Sequence, residues 1–149
     1  MDKENMGVHG AFVGTLIKAD GTVQTFCKDN LILNSGIDAI CNCLASSGQP
    51  SPFNYIAVGT GTTEAKDSQT NLATELTRKG ATYAHTAGTS VFTLSTTFAA
   101  GEATGAITEA GVCNASTGGI FFDRVVFPVI NKGDDDTYTA TFKITFNRA

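Results

Sequence analysis

Asp136 to Phe146 reads DTYTATFKITF, and this stretch decides the fold. Tyr138, Ala140, Phe142, Ile144 and Phe146 alternate with Thr137, Thr139, Thr141, Lys143 and Thr145. Side chains of a strand point to opposite faces in turn, so one face of this strand is apolar and the other carries hydroxyls and one lysine. That is the pattern of a half-buried strand with a wet outer face.

Working back from it, Asn131-Lys132-Gly133-Asp134-Asp135-Asp136 is a turn, and Ile120 to Ile130 is a strand apolar on both faces except at Asp123 and Arg124. Pro128 cannot donate to a ladder, so a bulge or an edge is expected there. Ile107 to Cys113 and Val91 to Phe98 read as further strands, the latter with Phe92, Leu94, Thr96 and Phe98 on one side. Arg78 to Ala84 is a weaker strand, and Asn54 to Val58 a short one. At the start, Phe12 to Lys18 and Val23 to Lys28 flank Ala19-Asp20-Gly21-Thr22, and Asp-Gly between two alternating runs is a strong hairpin signal.

Two segments have helical spacing. Ile37, Ile40, Cys41 and Leu44 fall at i, i+3, i+4 and i+7 behind Asn34 or Ser35 as N-cap, and Ser46 to Pro50 closes that helix. Leu72 and Leu76, four apart after Asn71, suit a single helical turn. Eight strands with one inserted helix predict a mainly β fold: a β-sandwich or jelly-roll-like domain. Its expected core is Phe12, Leu16, Ile37, Ile40, Leu44, Ile56, Val58, Phe92, Leu94, Phe98, Val125, Phe127, Phe142, Ile144 and Phe146.

The 149 residues suit one domain, taken as residues 11–149 behind an N-terminal contact arm at 1–10. Met1, Asp2, Lys3, Glu4, Asn5 and Met6 have no apolar face of their own, and a neighbouring chain is expected to hold them. The polar start lacks the apolar run of a secretory signal, which suggests synthesis in a cytosol-like compartment. Net charge is −4 with a pI near 5.0, which argues against a nucleic-acid groove. No run of 18 apolar residues suggests a membrane span.

Chemistry-bearing patterns are few. Gly59-Thr60-Gly61-Thr62-Thr63 lacks the Gly-Lys-Ser/Thr of a phosphate loop and reads as a tight turn that needs positive φ. Cys27, Cys41, Cys43 and Cys113 lack zinc-site spacing and are expected to be small buried apolar residues. Asp134-Asp135-Asp136 lacks the spaced ligands of a calcium loop and reads as a solvated turn. His9 and His85 sit in no nucleophile motif. Of the carboxylates Glu75, Glu102, Glu109 and Asp123, none is paired by spacing for acid–base work. Glu109 and Arg124 lie inside apolar strands, where a lone charge is costly, so they are expected to form a structural ion pair. No catalytic residue, cofactor or metal is expected.

NLILNSGIDAICNCLA at 30–45, YIAVGTGTTEAKDSQTNLATEL at 55–76, ITEAGVCN at 107–114 and GGIFFDRVVFPVINK at 118–132, followed by the last strand, stand in an order that resembles a family of tailed-bacteriophage structural proteins. The resemblance rests on Val58-Gly59-Thr60-Gly61, Leu72 to Leu76, Glu109-Ala110-Gly111 and Arg124-Val125-Val126-Phe127, and covers most of 30–146. It implies a non-enzymatic virion protein made in the host cytoplasm. The first expectation is a capsid decoration (cement) protein on the capsid surface that binds the major capsid protein as a homo-oligomer, a trimer in preference to a dimer. A tail, baseplate or fibre-associated protein bound to tail proteins comes second. A carbohydrate-binding module for host attachment comes third, since the chain has no Trp and only three scattered Tyr for sugar stacking.

Overall fold

A computed structural model describes residues 6–148. Nine antiparallel strands and one helix follow in the order β1 (Met6–Ile17), β2 (Val23–Ile32), α1 (Asn34–Ala45), β3 (Tyr55–Gly59), β4 (Glu75–Gly80), β5 (Thr82–His85), β6 (Val91–Phe98), β7 (Gly105–Cys113), β8 (Asp123–Lys132) and β9 (Thr137–Arg148). The sheet runs β4-β3-β7-β8-β2-β1-β9-β6-β5. Its two outermost strands, β4 and β5, are separated in the chain only by Ala81, so the edges come back toward each other and the sheet nearly closes. The domain is mainly β, a sandwich with barrel-like closure and one short helix.

The sandwich halves differ in how they are sewn. β1 pairs with β9 over twelve residues, Met6↔Arg148 to Ile17↔Thr137. The two halves meet between β2 and β8 at two pairs, Leu31↔Arg124 and Ile32↔Asp123. At the first hairpin, Gly21 takes φ +89° and its N–H donates to the Lys18 carbonyl. Between Ile107↔Ile130 and Glu109↔Val126 the β7–β8 register shifts, and Pro128, which has no N–H to give, lies in the extra length of β8.

The alternation of β9 turns Tyr138, Ala140, Phe142 and Ile144 into the core, with Phe146 packed at its margin. Phe12, Phe26, Phe127 and Phe142 form its aromatic centre, with the Phe12 and Phe142 rings 4.9 Å apart. Ten of the expected core residues are buried in it: Phe12, Leu16, Ile56, Val58, Leu94, Phe98, Val125, Phe127, Phe142 and Ile144, and Phe146, Phe92 and Ile40 pack against them.

Several expectations are corrected. Ile37 and Leu44 are 41% and 82% exposed and are not core. The helix enters the body instead through Gly36 and Ala39, its small residues. A Cβ on Gly36 would lie 2.2 Å from the Phe122 carbonyl oxygen, so only glycine lets the helix come this close. No side chain caps α1: Ser35 gives its hydroxyl to the Phe121 carbonyl at 2.6 Å. Leu72 and Leu76 do not share a helical turn, since Leu76 belongs to β4 while Leu72 is buried in the preceding bends. Cys27, Cys41 and Cys43 are exposed, and Cys113 is buried. The expected arm at 1–10 is divided: Met1–Asn5 lie outside the described residues, whereas Met6 to Gly10 pair with β9 as the first half of β1. Asp136 is not a solvated turn residue. It is buried and accepts from the N–H groups of Gly133 (2.7 Å) and Ala19 (3.0 Å) and from Lys18 Nζ (2.9 Å), tying two hairpins together.

Candidate functional site

Two places combine unusual chemistry with unusual exposure: a buried polar centre on β7 and β8, and an apolar face built on α1.

The polar centre starts from the pleat. Glu109 and Arg124 lie on neighbouring strands, side chains turned to the same side, and both are 0% exposed. Arg124 Nε and Nη2 donate to Glu109 Oε2 at 3.0 and 2.8 Å. The carboxylate has further work. Oε1 accepts from the N–H groups of Gly61 (3.0 Å) and Thr74 (2.7 Å), and Oε2 from that of Ala73 (2.9 Å). Arg124 Nη1 donates to Gln69 Oε1 at 2.9 Å, and the Thr108 hydroxyl donates to the Gly61 carbonyl at 2.7 Å. The loop between β3 and β4 is thus folded around one ion pair. This explains its glycines: neither Gly59 nor Gly61 has positive φ, contrary to the tight-turn expectation. A Cβ would lie 2.5 Å from Glu109 Oε1 at Gly59 and 2.6 Å at Gly61, so the glycines make room for the carboxylate. It also explains why Leu72 to Leu76 is not helical, since the Ala73 and Thr74 amides are committed to Glu109. Burial by itself pushes the Glu109 carboxyl up. The Thr74 amide, the Arg124 guanidinium and the Ala73 and Gly61 amides together outweigh it, and its pKa lies below the ordinary value.

Asp123, one residue before Arg124, is also 0% exposed but faces no cation. Its Oδ1 accepts from the Val112 N–H at 2.9 Å, and Oδ2 lies against Asn30 Nδ2. Here burial dominates the single amide bond and pushes the pKa up to about 8. The other candidate carboxylates are occupied separately: Glu75 with Arg78 at 2.7 Å and Glu102 with Lys79 at 2.6 Å. Each carboxylate has its own structural partner, and no two of them face each other across a cleft as an acid–base pair. Among the described residues, no three His, Cys, Asp or Glu side chains are placed to hold a metal ion.

The apolar face is different. Ile37, Cys41 and Leu44 repeat at i, i+4 and i+7 on the outside of α1, beside the small-residue face that packs inward. Next to it an apolar cleft of about 420 Å3 is lined by residues of α1, of the 49–54 segment and of strands β5, β6 and β9. Ile40, Phe53 and Phe122 line one side, and Phe92, Leu94 and Phe146 the other. Tyr83, 60% exposed, stands at its rim against Phe92. The stripe is readable in the sequence; its outward direction is not. The signal for direction is the pair Gly36 and Ala39, the small residues of the helix that are buried.

No protein-family model, curated protein or solved structure matches this chain.

Proposed function

We propose that the chain is a non-enzymatic structural component of a tailed-phage particle, a decoration (cement) protein that binds the assembled shell as a homo-oligomer, with a trimer favoured. The observation that carries this reading is the α1 face. Leu44 is 82% exposed, and with Ile37 and Cys41 it forms an apolar stripe beside an apolar cleft. Contiguous exposed apolar surface favours a protein contact, and we assign the stripe to a second copy of the chain. The commitment of each candidate carboxylate to a structural bond supports an assembly role over a hydrolytic one. The location rests on the resemblance read from the order of segments in the sequence.

Contacts repeated at symmetric lattice sites add by effective concentration, and a protein that binds only the assembled shell stabilises it by linkage. Sedimentation of the wild type and of Leu44→Glu tests the reading. The wild type sediments as an oligomer, and the variant falls to a monomer with an unchanged fold and no longer raises the temperature at which shells burst. A wild type that stays monomeric at high concentration, or a variant that assembles normally, overturns it. Binding to isolated tails instead of heads overturns the capsid assignment.

A further inference from the structure

We propose that Asp123 and Asn30 form a proton-dependent latch across the seam between the two halves of the sandwich. The seam is the weakest ladder of the sheet, two residue pairs between β2 and β8. Asp123 is one of those four residues and Asn30 immediately precedes them. Both are buried, with Asp123 fully so. An ionised carboxylate in such a place needs a cation.

None faces it from any neighbouring element. On β8, Arg124 is committed to Glu109. On β2, Lys28 reaches the Val126 carbonyl instead. From β7 come only the Val112 amide and the Cys113 thiol, which burial pushes up to about 11 and so leaves uncharged. From β1, Gly10 brings no side chain, and its missing Cβ is what makes room for the Asn30 carboxamide. Beside this cation-free carboxyl, Asn30 has Nδ2 against Asp123 Oδ2, while its Oδ1 is buried without a hydrogen-bond partner. A neutral acid has one O–H to donate and Asn30 one acceptor unmet. With the carboxamide turned over, the Asp123 O–H donates to Asn30 Oδ1, while Oδ1 of Asp123 keeps the Val112 N–H. The pKa near 8 agrees with this geometry.

The sign follows from linkage. The folded value lies above the ordinary 3.8, so the latch contributes fully below that value and is lost as pH rises toward and through about 8. Asp123→Asn keeps the shape and offers a permanent N–H donor to Asn30 Oδ1. Melting temperature against pH is the test. The wild type loses roughly 5 °C or more between about pH 5 and about pH 9. Asp123→Asn loses much less over that range and at the alkaline end melts no lower than the wild type. A variant less stable at every pH, with the same slope as the wild type, overturns the latch. If the variant does not fold, the infrared spectrum of the wild type near neutral pH decides. A protonated-carboxyl band that vanishes on alkaline titration supports the latch, and its absence near neutral pH overturns it.

Discussion

Glu109 and Asp123 are two carboxyls on adjacent strands, each 0% exposed, and the fold drives them in opposite directions. Glu109 has a guanidinium and three amide donors and stays ionised. Asp123 has one amide and a carboxamide and keeps its proton. Burial is common to both, so the partners decide the charge. The consequence is a division of labour. The ionised centre organises a long loop, whereas the neutral one closes a short seam whose strength varies with pH.

The sharpest way to break this comparison is to remove the cation. Arg124→Met leaves the buried Glu109 carboxylate with its amide donors but without a cation, and denaturant unfolding near neutral pH is expected to show a loss of about 3–5 kcal/mol. Asp123→Asn under the same conditions is expected to lose nothing. Similar losses in both variants would mean that the two carboxyls share one electrostatic role.

A smaller effect is expected from the space around the carboxylate. Gly61→Ala puts a Cβ within 2.5 Å of the Ala73 Cβ and 2.6 Å of Glu109 Oε1, so the loop must shift. The expected cost is roughly 1–3 kcal/mol. An unchanged urea midpoint would show that the loop is not held against Glu109.

Acid pH separates the two sites again. Because the folded pKa of Glu109 lies below the ordinary 4.5, its contribution is complete above that value and is lost as pH falls through the folded one. Over the same acid range the Asp123 contribution rises to its maximum. Glu109→Gln should therefore flatten the acid limb of a stability–pH profile and leave the alkaline limb in place. Smallest of all, Leu44→Glu should change unfolding free energy by no more than about 0.5 kcal/mol, since its side chain stands outside the core. A larger loss would place Leu44 in a packed environment within the isolated chain.

The sequence makes some of this legible and hides the rest for physical reasons. In β9 and β6 the alternation of large apolar residues with Thr and Ser identifies the buried face, because a strand in a sandwich has only two faces and one is wet. In α1 the same kind of pattern misleads. Periodicity says that Ile37, Cys41 and Leu44 share a face, but the inward face is the one that carries Gly36 and Ala39, and Gly36 is what permits contact with the Phe122 backbone. Opposite charges within neighbouring apolar strands make the Glu109–Arg124 pair accessible to sequence reasoning. Its extension to Gly61, Gln69, Ala73 and Thr74 is not, since those bonds span 35 to 55 residues and carry no local signature. Asp123 stands beside Arg124 in the sequence as the other charge of an apolar strand, and only the geometry shows that Arg124 is committed to Glu109.

The central claim, that their partners decide why two equally buried carboxyls differ in charge, is tested most directly by carbon NMR of the side-chain carboxyl groups as a function of pH. The account predicts that Asp123 titrates near pH 8 while Glu109 stays ionised down through its ordinary value of 4.5. Finding Asp123 already ionised in mild acid, or Glu109 titrating above its ordinary value, would contradict it.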